Sequence, residues 1–218
     1  MILTLLLSHT FVQTVPPKNE KDDESLPESP PPDANHHKQK NNLNALKILF
    51  LSSDTGGGHR ASAESLANQF QLLFPGSSYE LLDIVEKDGV PPYNSLVSYY
   101  KHLSARPQQW KLVYSVSNSR AFEMLADAHL KLMCERAVRR RIQSYNPDVV
   151  ISVHPLMCNV PVLSCSKISK LTGKHLPMFT VVTDLGSAHC LWFAAGVEKM
   201  FVGKREAFQN RHCIAFFK

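Results

Sequence analysis

The sequence contains no apolar run near the roughly 20 residues that a bilayer-spanning helix needs; its longest early stretch, Ile2 to Leu7, is far too short. That stretch also lacks a preceding Lys or Arg and a clear small-residue cleavage site, so it does not match a secretory signal, and a targeting role stands beside a start without meaning. Its 5 cysteines are Cys134, Cys158, Cys165, Cys190 and Cys213. An odd number without a CxxC pair speaks against a disulfide framework and a zinc knuckle and fits a reducing compartment. Glycine is scarce, 9 in 218 residues, yet three stand together at Gly56, Gly57 and Gly58. No internal repeat is visible. What is present is a modest excess of base, with a net charge of +5 and a pI near 8.9, which favours anionic partners such as phosphate-bearing ligands or acidic lipid headgroups.

Residues 15–42 hold six prolines, many charges and almost no large apolar side chains, so they cannot offset the entropy of ordering. Residues 1–45 are accordingly expected to form a disordered leader and candidate targeting segment. The fold is expected to start at Leu46 to Ser52, a continuous apolar run bounded by turn residues, as in a strand buried on both faces of a parallel sheet. Ala63, Leu66, Ala67, Phe70, Leu73 and Phe74 then recur at helical spacing and stop at Pro75-Gly76. Further short strands are expected at Tyr79 to Ile84, Val149 to Val153, Met178 to Thr183 and Lys199 to Val202. A long helix with a stripe of Phe122, Leu125, Ala126, Leu130, Met133 and Ala137 should precede Asn146-Pro147. Strands alternating with helices define an α/β fold, a Rossmann-like parallel sheet with flanking helices.

In such a sheet, ligands bind beyond the carboxyl ends of the strands, where helix N-termini present free N–H groups. Asp54 to His59 falls at such a place. Three successive glycines let the backbone approach a ligand, where a plain tight turn needs one at most. Gly56-x-Gly58-x-x-Ala61 also satisfies the loose dinucleotide fingerprint, with Asp83 placed to hold a ribose hydroxyl, so a nicotinamide-type module is one reading. His59 favours another. A neutral imidazole at the mouth of a helix accepts a proton, and the positive helix end should depress its pKa.

His154, before Pro155, and Asp184 fall at the ends of the third and fourth expected strands, on the same edge as His59. For His154 a ligand contact and a loop hydrogen bond are both open; for Asp184, so is a capping role. His189 follows, but the spacing gives no metal site. From Val90 to Tyr114 the aromatics Tyr93, Tyr99, Tyr100, Trp110 and Tyr114 interleave with Lys101, His102, Arg106 and Lys111. Tyrosine and tryptophan settle at headgroup level while lysine and arginine meet lipid phosphates, so the segment suits a bilayer surface; a helical pair covering the core is the alternative. Stacking on nucleic acid is unsupported by any recognised module. Arg139-Arg140-Arg141 reads as the solvated end of the long helix.

The eleven residues Ser53 to Ala63 closely resemble the opening motif of monogalactosyldiacylglycerol synthases. Pro92-Tyr93-Asn94, Trp110-Lys111, Pro147-Asp148, Ser152 to Met157, Thr183-Asp184-Leu185 and Trp192-Phe193 follow in the order of that family. The likeness runs from about Leu46 to Phe208. It implies the N-terminal, acceptor-side half (46–208) of a GT-B glycosyltransferase that moves galactose from UDP-galactose to the free hydroxyl of diacylglycerol, inverting the sugar. His59 would be the catalytic base, and Gly56, Gly57, Gly58, His154, Pro155 and Asp184 would line the substrate site. Tyr93, Tyr99, Tyr100, Arg106, Trp110 and Lys111 would dock the enzyme peripherally on a plastid membrane rich in anionic lipid. No cofactor, metal or nucleic acid is implied.

Bacterial diacylglycerol glucosyltransferases share the pattern less closely and are an alternative, as is a non-catalytic anionic-lipid-binding module. Cys190 stands where the family usually has proline, which bears on local loop geometry and not on the fold. After Phe208 the family pattern stops. Residues 209–218 read as an unrelated tail, so the donor-binding domain is expected to be absent and the chain alone inactive.

Overall fold

The computed structural model describes residues 45–55, 57–184 and 188–203. The expected leader up to residue 44, Gly56, Leu185, Phe208 and the expected tail lie outside the described residues. Five strands form one all-parallel sheet: β1 (Lys47–Leu51), β2 (Ser78–Leu82), β3 (Val149–Ser152), β4 (Met178–Val182) and β5 (Lys199–Val202). Their order across the sheet is β2-β1-β3-β4-β5. Leu49 registers with Glu80 on one side and Val150 on the other. The central strands β3 and β4 are buried throughout, which is why they read as unbroken β-branched and apolar runs.

The pleat sends alternate residues of β1 to opposite layers. Ile48 and Phe50 pack with Ala63, Ala67 and Phe70 of helix α1 (Gly58–Leu73). Leu49 and Leu51 join the larger cluster on the other face. That face is covered by α5 (Arg120–Tyr145) and α6 (Asn159–Thr172). Each fully buried Leu, Ile or Phe in these layers contributes about 1.5–3 kcal/mol. Between β2 and α5 lie α2 (Ile84–Asp88), a turn of 3₁₀ helix at Tyr93–Ser95, and the hairpin of α3 (Leu96–Ser104) and α4 (Pro107–Ser117).

Three expectations need correction here. The buried ridge of α5 is Ala126, Leu130, Cys134, Val138 and Ile142, spaced by four. Of the expected stripe, Phe122, Leu125 and Met133 face solvent, Leu125 at 72% exposure. The first half of α5 is apolar around much of its circumference, and the ridge that meets α6 and the sheet is chosen by packing.

The arginine run does not end α5, which continues to Tyr145 and stops at left-handed Asn146. Arg139 bonds Glu135 at 3.0 Å, and the Arg141 guanidinium grips both oxygens of Asp88 at 2.9 and 3.0 Å. Glu135 also meets Lys167 of α6 at 2.9 Å. Burial pushes the Glu135 carboxyl upward, but the bonds from Lys167 and Arg139 outweigh it and the net shift is down.

The third correction concerns the Val90 to Tyr114 segment. It contains a helical pair, but the pair is not what covers the core: no residue of α3 or α4 is buried, while Val90 and Tyr93 ahead of them pack against the core.

Candidate functional site

The strand order reverses between β1 and β3, since β2 lies to one side of β1 and β3, β4 and β5 lie to the other. At such a switch point, the loops leaving the carboxyl ends of the two strands diverge and open a crevice. Three loops meet at this rim: residues 52–55 with Gly57 after β1, residues 153–158 after β3, and the segment opened by Thr183 after β4.

The loop after β1 reaches α1 through Gly57, whose φ of 70° suits glycine. The helix has no side-chain cap and no acidic residue in its first turn. Its opening N–H groups and positive dipole end therefore favour an anion at the crevice. His59 is the second residue of α1. Its Nδ1 lies 2.8 Å from the Val153 carbonyl oxygen and 2.8 Å from Thr183 Oγ1. A carbonyl only accepts, so Nδ1 carries the proton and Nε2 keeps the lone pair. This is the tautomer that accepts a proton at Nε2.

Burial lowers the pKa of His59, while the Val153 bond and the negative charge of Asp184 raise it in part. The direction matches the expectation from the sequence, but the leading cause is loss of water and not the helix end.

His154 is 4% exposed. Its Nε2 pairs with Thr55 Oγ1 at 2.9 Å, its ring meets that of His59 edge to face with centroids 4.7 Å apart, and its Nδ1 has no partner among the described residues. Burial, aided by His59, holds its pKa down at about 3. His154 thus touches the glycine loop and the other imidazole. Pro155 opens the short 3₁₀ turn Pro155–Met157 behind it.

Asp184 accepts the Trp192 indole N–H at 2.7 Å and the His189 backbone N–H at 3.5 Å, a loop-fixing arrangement. Trp192 is fully buried, its ring centroid 6.2 Å from that of His59. Asp83 caps α2 by accepting the Glu86 N–H at 2.9 Å, and its other oxygen is buried, so its carboxylate is turned to the fold and not to a ribose.

Two contacts were not visible in sequence. Thr183 sits one position before the residue that its strand-end placement had singled out. The second is the seam between the loop at 188–193 and the end of α4. There, His189 Nδ1 accepts from Leu191 N–H, so its Nε2 donates to Ser117 Oγ at 3.2 Å. Cys190 N–H donates to Asn118 Oδ1 at 2.8 Å, a bond that a proline at this position could not make. The aromatic segment is thereby joined to the rim: Tyr114 stacks edge-on against His189, and Trp110 bridges Tyr100 and Tyr114. Of the other residues expected at a membrane, Tyr93 packs on the core beside His129, Arg106 bonds the His102 carbonyl, and Tyr99 and Lys111 are exposed.

An imidazole in the first turn of an uncapped helix, held from two strand ends at the switch point of a parallel sheet, defines a Rossmann-like α/β domain with a candidate site at that rim. Comparison with known proteins narrows the class. The family model for monogalactosyldiacylglycerol (MGDG) synthase matches residues 59–212. The probable monogalactosyldiacylglycerol synthase 2, chloroplastic, of Oryza sativa subsp. indica is 38% identical over 164 residues, covering 74% of this chain and 34% of the relative. The monogalactosyldiacylglycerol synthase, chloroplastic, of Spinacia oleracea is 35% identical over 164 residues, covering 73% and 30%. Monogalactosyldiacylglycerol synthase 1, chloroplastic, of Arabidopsis thaliana is 35% identical over 162 residues, also covering 73% and 30%. The chain belongs to the monogalactosyldiacylglycerol synthase family, and it spans about a third of the length of these relatives.

Proposed function

We propose that this chain is the acceptor-side half of a plastid glycosyltransferase that moves galactose from UDP-galactose to diacylglycerol, with inversion at the sugar. The observation that carries the reading is the clamp on His59: Nδ1 is held by Val153 and Thr183, so Nε2 offers its lone pair at the crevice. In the reaction, Nε2 takes the proton of the glycerol hydroxyl as that oxygen bonds to the anomeric carbon. The bond from that carbon to the diphosphate breaks, and its electron pair leaves with UDP. The free N–H groups at Gly57, Gly58 and the start of α1 receive negative charge developing at the diphosphate. His154 and Asp184 support this centre through Thr55 and Trp192.

The lipid acceptor needs an enzyme at the bilayer surface. Among the described residues no helix is long and apolar enough to cross a membrane. The α3–α4 hairpin instead presents Tyr99, Trp110, Leu112, Val113 and Val116 to solvent, and Phe122, Met124 and Leu125 follow on α5. With Arg106 and Lys111 nearby, this surface suits peripheral docking on anionic lipid. The same surface favours, as a second reading, a lipid-binding module without catalysis.

The test is transfer by a full-length relative whose matching segment is replaced by residues 46–208 of this chain. His59→Gln should lower galactose transfer to diacylglycerol about a hundredfold to ten-thousandfold while the protein stays folded. Near-normal turnover rejects the base assignment, and liposome binding without any transfer by the parent chimera favours the second reading.

A further inference from the structure

His59 is held by two oxygens, and the second comes from a side chain. We propose that Thr183 is the positioning residue for His59, its hydroxyl oxygen acting as a second acceptor that fixes the plane of the imidazole and steadies the ring when it carries charge. This rests on the reading of His59 as the base.

The geometry decides the direction of each bond. Both oxygens lie 2.8 Å from Nδ1. The Val153 carbonyl cannot donate, so the single Nδ1 proton is shared between it and Thr183, and the threonine O–H points elsewhere. The Val153 end of the clamp is built into the sheet, because its own N–H donates to the Leu51 carbonyl at 3.0 Å. Thr183 leaves β4, the neighbour of β3. The ring is therefore rooted in α1 and gripped from two adjacent strand ends.

One acceptor selects the tautomer but lets the ring swing about that bond. A second, from a different strand, sets its plane and so the direction of the Nε2 lone pair. When a proton reaches Nε2, the Nδ1–H becomes a charged donor, and both bonds strengthen. Thr183 thus favours the imidazolium over the neutral ring, in a setting where burial works against the charged form.

The test uses the chain itself, labelled with ¹⁵N-histidine, and reads long-range ¹H–¹⁵N correlations of the His59 ring across a pH titration. The parent should show the Nδ1–H tautomer when neutral; an Nε2–H tautomer overturns the proposal without any variant. Thr183→Val, close in shape, should lower the His59 pKa by about 0.5–1 unit and mix the tautomers. Thr183→Ser, which restores the hydroxyl, should return both to near the parent values. If Val and Ser shift the ring equally, or neither shifts it, the hydroxyl is not the cause and the proposal fails. Should the Val variant lose its native amide spectrum, Thr183→Ala replaces it with the same expected shift. None of these readouts needs turnover, so they stand or fall separately from the His59→Gln test of the base.

Discussion

His59 and His154 meet edge to face with ring centroids 4.7 Å apart, one ring at the crevice and the other shut into the fold behind it. Their roles differ because their burial differs. The inner ring stays neutral, ties Thr55 of the glycine loop to the end of β3, and so gives the outer ring a fixed neighbour to lean on. A proton on the inner ring would oppose a proton on the outer one, and its pKa of about 3 prevents that conflict near neutral pH.

The inner ring should make stability depend on pH. In the unfolded chain His154 titrates near its ordinary value of 6.5, while in the fold it titrates at about 3. Between those values the unfolded state binds the extra proton, so stability is full above about pH 6.5 and falls by up to about 1.4 kcal/mol per unit below it, or about 2 kcal/mol by pH 5. His154→Gln can still reach Thr55 and should lose less stability between pH 7 and pH 5 than the parent, measured as urea midpoints. His59 and His189, also lowered by burial, leave a smaller residual dependence. An identical pH loss in the variant means that the native ring is already protonated.

Asp184 acts on His59 through its charge. It raises the pKa of both His59 and His189 against the larger effect of burial. Asp184→Asn keeps an oxygen for the Trp192 indole and the His189 N–H, and removes the charge. Both histidines should then titrate at lower pH, as followed by the ring C–H signals. If His59 stays where it was while His189 moves, the carboxylate does not act on the base.

The strands were legible in the sequence because a buried parallel strand is a short apolar run between turn residues, and β5 was read to the residue. The place of His59 in the first turn of α1 was legible for a local reason, since the strand before the glycines and the helix after them lie within one stretch. Thr183 was not, because its contact with His59 spans 124 positions and exists only once β4 lies beside β3. The same holds for Ser117 and Asn118, whose bonds to His189 and Cys190 follow from where the hairpin comes to rest. On α5 the apolar residues outnumber what one face can bury, so the stripe read from periodicity shares only Ala126 and Leu130 with the buried ridge, which packing against α6 and the sheet selects.

The exposed hairpin should carry the affinity for lipid. Leu112 is 66% exposed and Val116 lies one turn further along the same helix. Leu112→Glu with Val116→Glu removes apolar surface worth about 1.5–3 kcal/mol per side chain when buried and adds charges that anionic headgroups repel. Sedimentation with phosphatidylglycerol-containing liposomes should show binding weakened at least tenfold, while thermal stability changes little because neither residue is packed in the core. Unchanged sedimentation would place the lipid contact elsewhere.

Two glycines separate the two physical reasons for needing that residue. Gly173 ends α6 with φ of 71° and has open space where a Cβ would stand, so Gly173→Ala meets backbone strain alone, about 1 kcal/mol. Gly89 ends α2 at φ of −73°, which any residue adopts. There an added Cβ would sit 2.1 Å from the Val85 carbonyl oxygen, the same oxygen that accepts the Gly89 N–H at 3.1 Å. Relief requires the end of α2 to move, and Asp88 with its grip on Arg141 must move too. Gly89→Ala should therefore lose more than Gly173→Ala, about 2–3 kcal/mol, by chemical denaturation at neutral pH. Equal losses would mean that the chain end at Gly89 shifts freely and that the Asp88–Arg141 pair does not hold α2 against α5.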